Sequence, residues 1–148
     1  METGLIHLHS SLRWIVLILM VVAIVKGFSG RNKNVSFDGT RKIALFAMIS
    51  LHIQLLIGLA LYFMRGWAGK WGTEGMMADK IMRFFTMEHM LMMIIAIALA
   101  TIGYSGAKKM SDSMKQHKRI FVFYLISLII ILASIPWPFR GLGVDNWI

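Results

Sequence analysis

Two histidines, His52 and His89, lie inside long apolar runs of this 148-residue chain. An ionisable ring in hydrocarbon is costly, and such a residue marks a functional site unless a neighbouring group satisfies it. In membranes, imidazole commonly binds a metal or a haem iron, or belongs to a proton pathway. The two histidines therefore predict a redox cofactor, and hydrogen bonding between neighbouring helices is the structural alternative.

The depth of each histidine limits which of them can share one ligand. At a rise of 1.5 Å per residue, His89 lies about 21 Å and His9 about 27 Å above the inner ends of their helices, and His52 lies about 15 Å up. His89 can therefore pair with His52 below it or with His9 above it, whereas His9 and His52 are too far apart. We expect His89 and His52 to be the pair, with His9 as the alternative second ligand.

Arg13 lies at the same level as His89 and one helical turn from His9, on the same face of its helix. A buried guanidinium needs an anion as partner. Glu88, a haem propionate and a lipid phosphate are the three candidates, and each would form a charge-assisted hydrogen bond. Arg13 is therefore either a structural ion-pair partner or a residue that holds a propionate.

The helical face that follows His89 carries small residues, namely Ala96, Ala100 and Gly103. Small residues let two helices approach closely, or leave room for a flat cofactor. Of these two explanations, helix packing is the simpler one.

Four apolar stretches position these residues, at approximately 5–27, 42–64, 81–104 and 118–137. Each is long enough for a helix across about 30 Å of hydrocarbon, which takes about 20 residues. Strands of a membrane barrel alternate in polarity, and these runs do not. The chain has no cysteine, which excludes disulfides, iron–sulfur clusters and thiolate zinc sites. The sequence predicts one all-α membrane domain over residues 1–148, an up-down-up-down bundle of four transmembrane helices.

The charge of +9 is distributed unevenly among the loops. Ten Lys and Arg residues fall in the loops after helices one and three, against five on the opposite side. Because basic residues stay in the cytoplasm, this bias predicts a bacterial inner-membrane protein with both termini periplasmic, and it explains the charge without nucleic acid. His117 is expected in a solvated basic loop and His7 at the outer interface. The first segment lacks a basic n-region, so we expect no cleaved signal peptide.

The two halves of the chain resemble each other. Residues 27–30 (GFSG) recur 76 positions later as 103–106 (GYSG), and residues 41–43 (RKI) are matched 77 positions later by 118–120 (KRI). Internal repeats of the same orientation pack about an axis along the membrane normal. The bundle is therefore expected to consist of two similar helical hairpins.

Four segments give the chain a resemblance to a known family, namely residues 9–14 (HSSLRW), 52–59 (HIQLLIGL), 88–90 (EHM) and 135–139 (IPWPF). They resemble the small four-helix, cytochrome b-like membrane proteins of Bacteroidota, and the resemblance covers nearly the whole chain. It implies a b-type haem between histidine ligands. The functional positions that it implies are His9, Arg13, His52 and His89. Larger b-type cytochromes with two haems often carry pairs of histidines about a dozen residues apart on one helix, and this chain has no pair with that spacing, so we expect at most one haem.

The leading hypothesis is therefore a membrane b-type cytochrome-like protein or subunit that transfers single electrons through one bis-histidine haem. Its partners would be the lipid bilayer and a quinol, a redox partner protein or a larger membrane complex. Two axial histidines leave no open iron position, which favours electron transfer over a stand-alone enzyme. The alternative is a cofactor-free accessory subunit of a larger respiratory complex. A weaker resemblance to bacterial haem-dependent protoporphyrinogen oxidases gives a third possibility, a porphyrinogen oxidase-like enzyme.

Overall fold

Four long helices make up most of the protein. The computed structural model describes residues 1–143, so residues 144–148 of the predicted domain lie outside the described part. The helices are α1, Glu2–Gly30; α2, Asp38–Met64; α3, Lys80–Lys109; and α4, Ser113–Ser134. All four are long and apolar enough to cross a membrane, which confirms the prediction of an all-α, multi-pass membrane protein. Two short 3₁₀ turns, Trp67–Lys70 and Pro138–Arg140, follow α2 and α4.

Local signals place both ends of α4 several residues away from the limits of its predicted apolar run. Asp112 caps α4, because its carboxylate accepts hydrogen bonds from two backbone N–H groups of the first turn. The helix therefore begins at Ser113 rather than at the predicted residue 118. It ends at Ser134 rather than at 137, since Ile135 precedes Pro136 and the residue before a proline is disfavoured in the α conformation.

The helices alternate in direction around the bundle. α1 packs against α2 and α4, and α3 packs against the same two helices, so α1 and α3 lie at opposite corners. Of the four adjacent pairs, α2 and α3 contact each other least. The hairpins α1–α2 and α3–α4 thus form one four-helix bundle whose least extensive contact runs along α2 and α3.

The bundle is tightest where α1 ends and α4 begins. A Cβ added at Gly27 would lie 2.9 Å from the backbone nitrogen of Phe121, and one added at Gly30 would overlap the imidazole of His117. Only glycine allows the two backbones to approach this closely. We refer to this region, formed by Gly27, Gly30, Phe37 and His117, as the closed end.

His117 was expected in a solvated loop, and that prediction is wrong. Its side chain is 1% exposed, packs edge-on against the ring of Phe37 at a centroid distance of 5.3 Å, and donates from Nδ1 to the carbonyl of Ser113 at 2.7 Å. The physical reason is the early start of α4, which places His117 in the second turn of the helix and directs its side chain towards Gly30 of α1.

The small residues below His89 are used for helix packing. Ala96 and Ala100 are fully buried, and the hydroxyl of Ser127 on α4 donates to the carbonyl of Ala96 at 2.7 Å. A Cβ at Gly103 would overlap the side chain of Phe123, also on α4. This face therefore joins α3 to α4 and leaves no room there for a flat cofactor.

Large apolar side chains cover the outside of the bundle. Ile18 on α1 and Leu56 on α2 are 62% and 67% exposed, and many similar residues surround them. A water-soluble protein rarely exposes so much contiguous apolar surface. The exterior is compatible with direct contact with a lipid bilayer.

Candidate functional site

A cavity of about 200 Å³ lies inside the bundle, at the end opposite the closed end. Its walls are the first half of α1, the second half of α2, the first half of α3 and the last turns of α4, so all four helices contribute. Most of the lining is apolar, as with Val16, Leu17 and Ile97. Gly58 on α2 and Met90 on α3 also line it and remain partly exposed, so the cavity is not sealed on that side.

Two histidines face each other across this cavity. His9 projects from α1 and His89 from α3, the two helices at opposite corners of the bundle. The centroids of their imidazole rings are 6.4 Å apart, and the ring planes are inclined at 75°. The structure therefore brings together His9 and His89, the alternative pair of the sequence analysis.

A backbone carbonyl holds the ring of His89. Its Nδ1 lies 2.7 Å from the carbonyl oxygen of Ser134, at the end of α4. A carbonyl can only accept, so Nδ1 carries the hydrogen and a neutral ring has its lone pair on Nε2. This arrangement is typical of histidine ligands, whose second nitrogen is fixed by an outer hydrogen bond.

A π-helical turn directly precedes His89, which lines the cavity. Residues Phe84–Glu88 form one π-helical turn within α3, and His89 is the first residue after it. Such turns are rare and frequently occur at functional sites, because the extra residue rotates the following side chains around the helix axis. The apolar pattern of the sequence gives no sign of this turn.

His9 is held by two residues of α2. The amide Nε2 of Gln54 donates to the backbone carbonyl of His9 at 2.7 Å. One turn further along, a Cβ at Gly58 would lie 3.1 Å from Cε1 of the His9 ring, so the ring occupies the space that the glycine leaves. The Nδ1 atom of His9 is buried and has no hydrogen-bond partner among residues 1–143.

Arg13 also lines the cavity, one turn from His9 on the inward face of α1. Its guanidinium carbon lies 5.2 Å from the ring centroid of Trp14. The carboxylate of Glu88, which was one candidate partner for Arg13, accepts instead from Nε of Arg83 at 2.7 Å. The structure therefore places a cationic side chain beside the two imidazoles and commits Glu88 to a different arginine.

His52, the expected partner of His89, does not line the cavity. Its side chain is exposed, and its Nδ1 lies 2.8 Å from the carbonyl of Met48 in its own helix. The reason is helical phase: Leu51 faces the interior, and the next residue lies about 100° further around the helix. His7 is exposed near the start of α1.

The connection between α2 and α3 covers the cavity end of the bundle. Trp67 lines the cavity and stacks on Phe85 of α3, with ring centroids 5.4 Å apart. The hydroxyl of Tyr62 donates to the carbonyl of Thr86 at 2.9 Å, which ties the end of α2 to the π-helical turn. These aromatic contacts fix the loop against the helix that carries His89.

The cavity lining includes two imidazoles, those of His9 and His89. Throughout the described part of the chain there is no group of three or more His, Cys, Asp or Glu side chains that could hold an ion. A site with two imidazoles as its only protein ligands suits a metal whose remaining positions are filled by another group. The chain matches no family model, no curated protein and no solved structure.

Sequence reasoning missed Gln54 and Gly58, although a signal for both exists. Inward positions of α2 follow one another at spacings of three and four, through Ala44, Ala47, Leu51, Gln54 and Gly58. A polar residue and a glycine on that stripe indicate a site on the inner face of the helix. The more conspicuous His52 lies off the stripe.

Proposed function

We propose that this protein is a membrane electron-transfer protein or subunit of the b-type cytochrome kind, with one haem held by His9 and His89. The observation that carries the proposal is the separation of 6.4 Å between the two imidazole centroids across an internal cavity. An imidazole nitrogen lies about 2 Å from a metal that it binds, so two rings on opposite sides of one ion are separated by about 6 Å. His52, which depth alone favoured, is left out of the site.

The residues present fit such a group in three ways. His89 offers Nε2, because its Nδ1 is engaged by Ser134. His9 carries a buried ring nitrogen that has no partner within residues 1–143, which is costly unless the ring is used. The lining is mainly apolar, and a macrocycle larger than the volume of about 200 Å³ would extend through the partly exposed side along α2 and α3.

A haem iron between two imidazoles supplies reversible one-electron chemistry, and the chain's own residues set the conditions for it. His9 and His89 would hold the haem through their ring nitrogens, and two histidine ligands would favour electron transfer. The carbonyl of Ser134 fixes the tautomer and orientation of His89. Arg13 provides positive charge beside the rings, where it can pair with a propionate. Val16, Leu17 and Ile97 would give the haem apolar surroundings on the inner side of the site.

The proposed site lies near one membrane surface. The cavity is at the end of the bundle that carries the N terminus and the α2–α3 connection. The excess of basic residues at the other end supports a periplasmic position for the cavity and for both termini, in a bacterial inner membrane. An electron donor or acceptor, either a quinol in the bilayer or a redox protein, would then approach from this outer side. The resemblance to small cytochrome b-like proteins agrees with this proposal.

An optical spectrum of the purified full-length protein in detergent tests the proposal. We expect a sharp α-band of the b type in the dithionite-reduced minus oxidised spectrum, at about one haem per chain. A folded protein whose spectrum is flat, and stays flat after haem is added, would overturn the proposal. The cofactor-free accessory subunit would then become the better explanation. Turnover of a porphyrinogen by the purified chain would favour the third possibility instead.

A further inference from the structure

We infer that Gln54 and Gly58 of α2 are positioning residues that set the orientation of His9, and this inference rests on the proposed function. Neither residue is a ligand. Both lie on the face of α2 that lines the cavity, one turn apart, and both contact His9. The contribution of α2 to the site is thus to position a histidine that belongs to α1.

Gly58 provides the space for the ring. A Cβ at this position would meet Cε1, Nδ1 and Nε2 of His9 at 3.1, 3.7 and 4.0 Å. These contacts are with the imidazole alone, so a side chain here would move the ring by a few tenths of an ångström without a clash elsewhere. The added methyl group would displace the imidazole away from the backbone of α2 at Gly58. Gly58 therefore determines how closely the His9 ring approaches α2.

Gln54 fixes the backbone that carries the ring. Its Nε2 donates to the carbonyl of His9, and this contact identifies the amide nitrogen because a carbonyl can only accept. The other atom of the amide, Oε1, is then an acceptor that is buried and receives no hydrogen bond within residues 1–143.

Gln54 Oε1 and His9 Nδ1 are chemically complementary. Nδ1 becomes a donor when Nε2 of a neutral ring is engaged by a metal. Ser134 already supplies the corresponding acceptor for His89, through its backbone carbonyl. Gln54 is the residue of α2 that is already bonded to His9 and still has an acceptor to offer. The two imidazoles would then each have an outer hydrogen-bond partner, one from a backbone and one from a side chain.

Two measurements on the full-length protein test this inference, one without haem and one with it. In the haem-free protein labelled with ¹⁵N-histidine, the ring signals of His9 are identified by their loss in His9→Ala. We expect Gly58→Ala and Gln54→Leu to shift these signals and to leave those of His117 unchanged. In the haem-loaded protein, both variants should bind haem about tenfold or more weakly and shift the low-spin electron paramagnetic resonance g-values, because outer-shell changes typically have effects of this size.

Two control variants separate positioning from general stability. Gly39→Ala makes the same substitution in the same helix, where an added Cβ meets only the end of one lysine side chain at 4.0 Å. Gln116→Leu removes a glutamine whose Nε2 donates to the carbonyls of Ala107 and Met110 at the far end of the bundle. Neither control should change the His9 signals or the g-values. Gln54→Glu, which keeps an acceptor, should restore part of the haem affinity that Gln54→Leu loses.

The outcomes distinguish this inference from the proposed function. If the wild type binds no haem but Gly58→Ala and Gln54→Leu still shift the His9 signals, the cytochrome proposal is wrong, and the inference that Gln54 and Gly58 position His9 is supported. If the wild type binds haem while both variants leave the His9 signals and the g-values unchanged, the positioning role of Gln54 and Gly58 is wrong, and the cytochrome proposal is supported. Equal effects of Gln54→Leu and Gln116→Leu on both readouts would also overturn the inference, since they would show a loss of stability only.

Discussion

Both ends of the helical bundle contain inward-facing histidines, but the surroundings of these histidines differ. At the closed end, His117 is 1% exposed, bonded within its own helix and pressed against Gly30 and Phe37. At the other end, His9 and His89 border a cavity of about 200 Å³. His117 is thus packed against its neighbours, whereas the other two rings line a cavity and contact each other edge-on.

This difference shows that burial does not by itself identify a functional histidine. A buried ring needs hydrogen-bond partners, and one that has them can serve packing alone. What distinguishes His9 and His89 is the combination of a shared cavity, a separation of 6.4 Å and a ring nitrogen left for a ligand. Matched substitutions at the two ends test whether only the histidines at the cavity bind a cofactor.

The largest expected effect is the loss of haem from His89→Ala. If His9 and His89 hold a haem as proposed, removing one of these two ligands should abolish the low-spin b-type spectrum. The matched variant His117→Ala removes a buried imidazole at the closed end. It should lower the free energy of unfolding by about 2–5 kcal/mol through the void that it leaves, while the folded fraction keeps its haem. Optical spectra and haem content per folded chain compare the two; haem retained in His89→Ala would contradict the assignment.

A second pair of variants compares the inner and outer faces of the bundle. His9→Ala should also abolish the low-spin spectrum, since His9 is the second ring at the cavity. His52→Ala should leave the spectrum and haem content unchanged, because its side chain is exposed and bonded only within its own helix. The measurement is the reduced minus oxidised spectrum at equal protein concentration. If His52→Ala lost haem and His9→Ala kept it, the pair expected from depth alone would be correct.

The outcome of this comparison depends on what a sequence can and cannot specify. Hydropathy and length predicted the four helices, because in a bilayer the backbone must satisfy its own hydrogen bonds and each span needs a minimum length. Depth along a helix follows from residue counting, and it correctly allowed His9 and His89 to meet. Depth does not specify rotation about the helix axis, and His52 lies outside the inward stripe of α2 that contains Gln54 and Gly58.

Other features of the site depend on tertiary contacts that the sequence does not encode locally. Two such features belong to the backbone: the π-helical turn before His89 and the carbonyl of Ser134 that holds its ring. No particular side chain in the sequence indicates either of them. The burial of His117 depends on Asp112, which starts α4 five residues before its apolar run. An Asp followed by helix-forming residues is a recognisable cap, so this last feature was accessible from the sequence.

A third substitution tests how tightly the closed end is packed. Gly30→Ala should lower the free energy of unfolding by about 1–3 kcal/mol, because its methyl group would overlap the ring of the buried His117. Gly39→Ala, in open surroundings on α2, should leave stability unchanged or raise it slightly. Denaturant titration in detergent measures both. Equal stability of the two variants would mean that the closed end can yield, and the contrast between the ends would weaken.

The smallest expected effect comes from Arg13→Leu, which alters charge at the cavity without removing a ligand. A cation near the iron favours the reduced form, since reduction removes one positive charge from the metal site. Arg13→Leu should therefore lower the midpoint potential of the haem, and it should also weaken haem retention if a propionate loses its partner.

Arg41→Leu removes an equal charge from an exposed position on the first turn of α2, at the other end of the bundle, where screening makes its influence on the cavity negligible. Redox titration of the two variants separates a local interaction from an effect of net charge. A potential that falls equally in both would show that Arg13 acts only through the overall field, and one unchanged in both, with haem fully retained, would leave Arg13 a structural residue of α1.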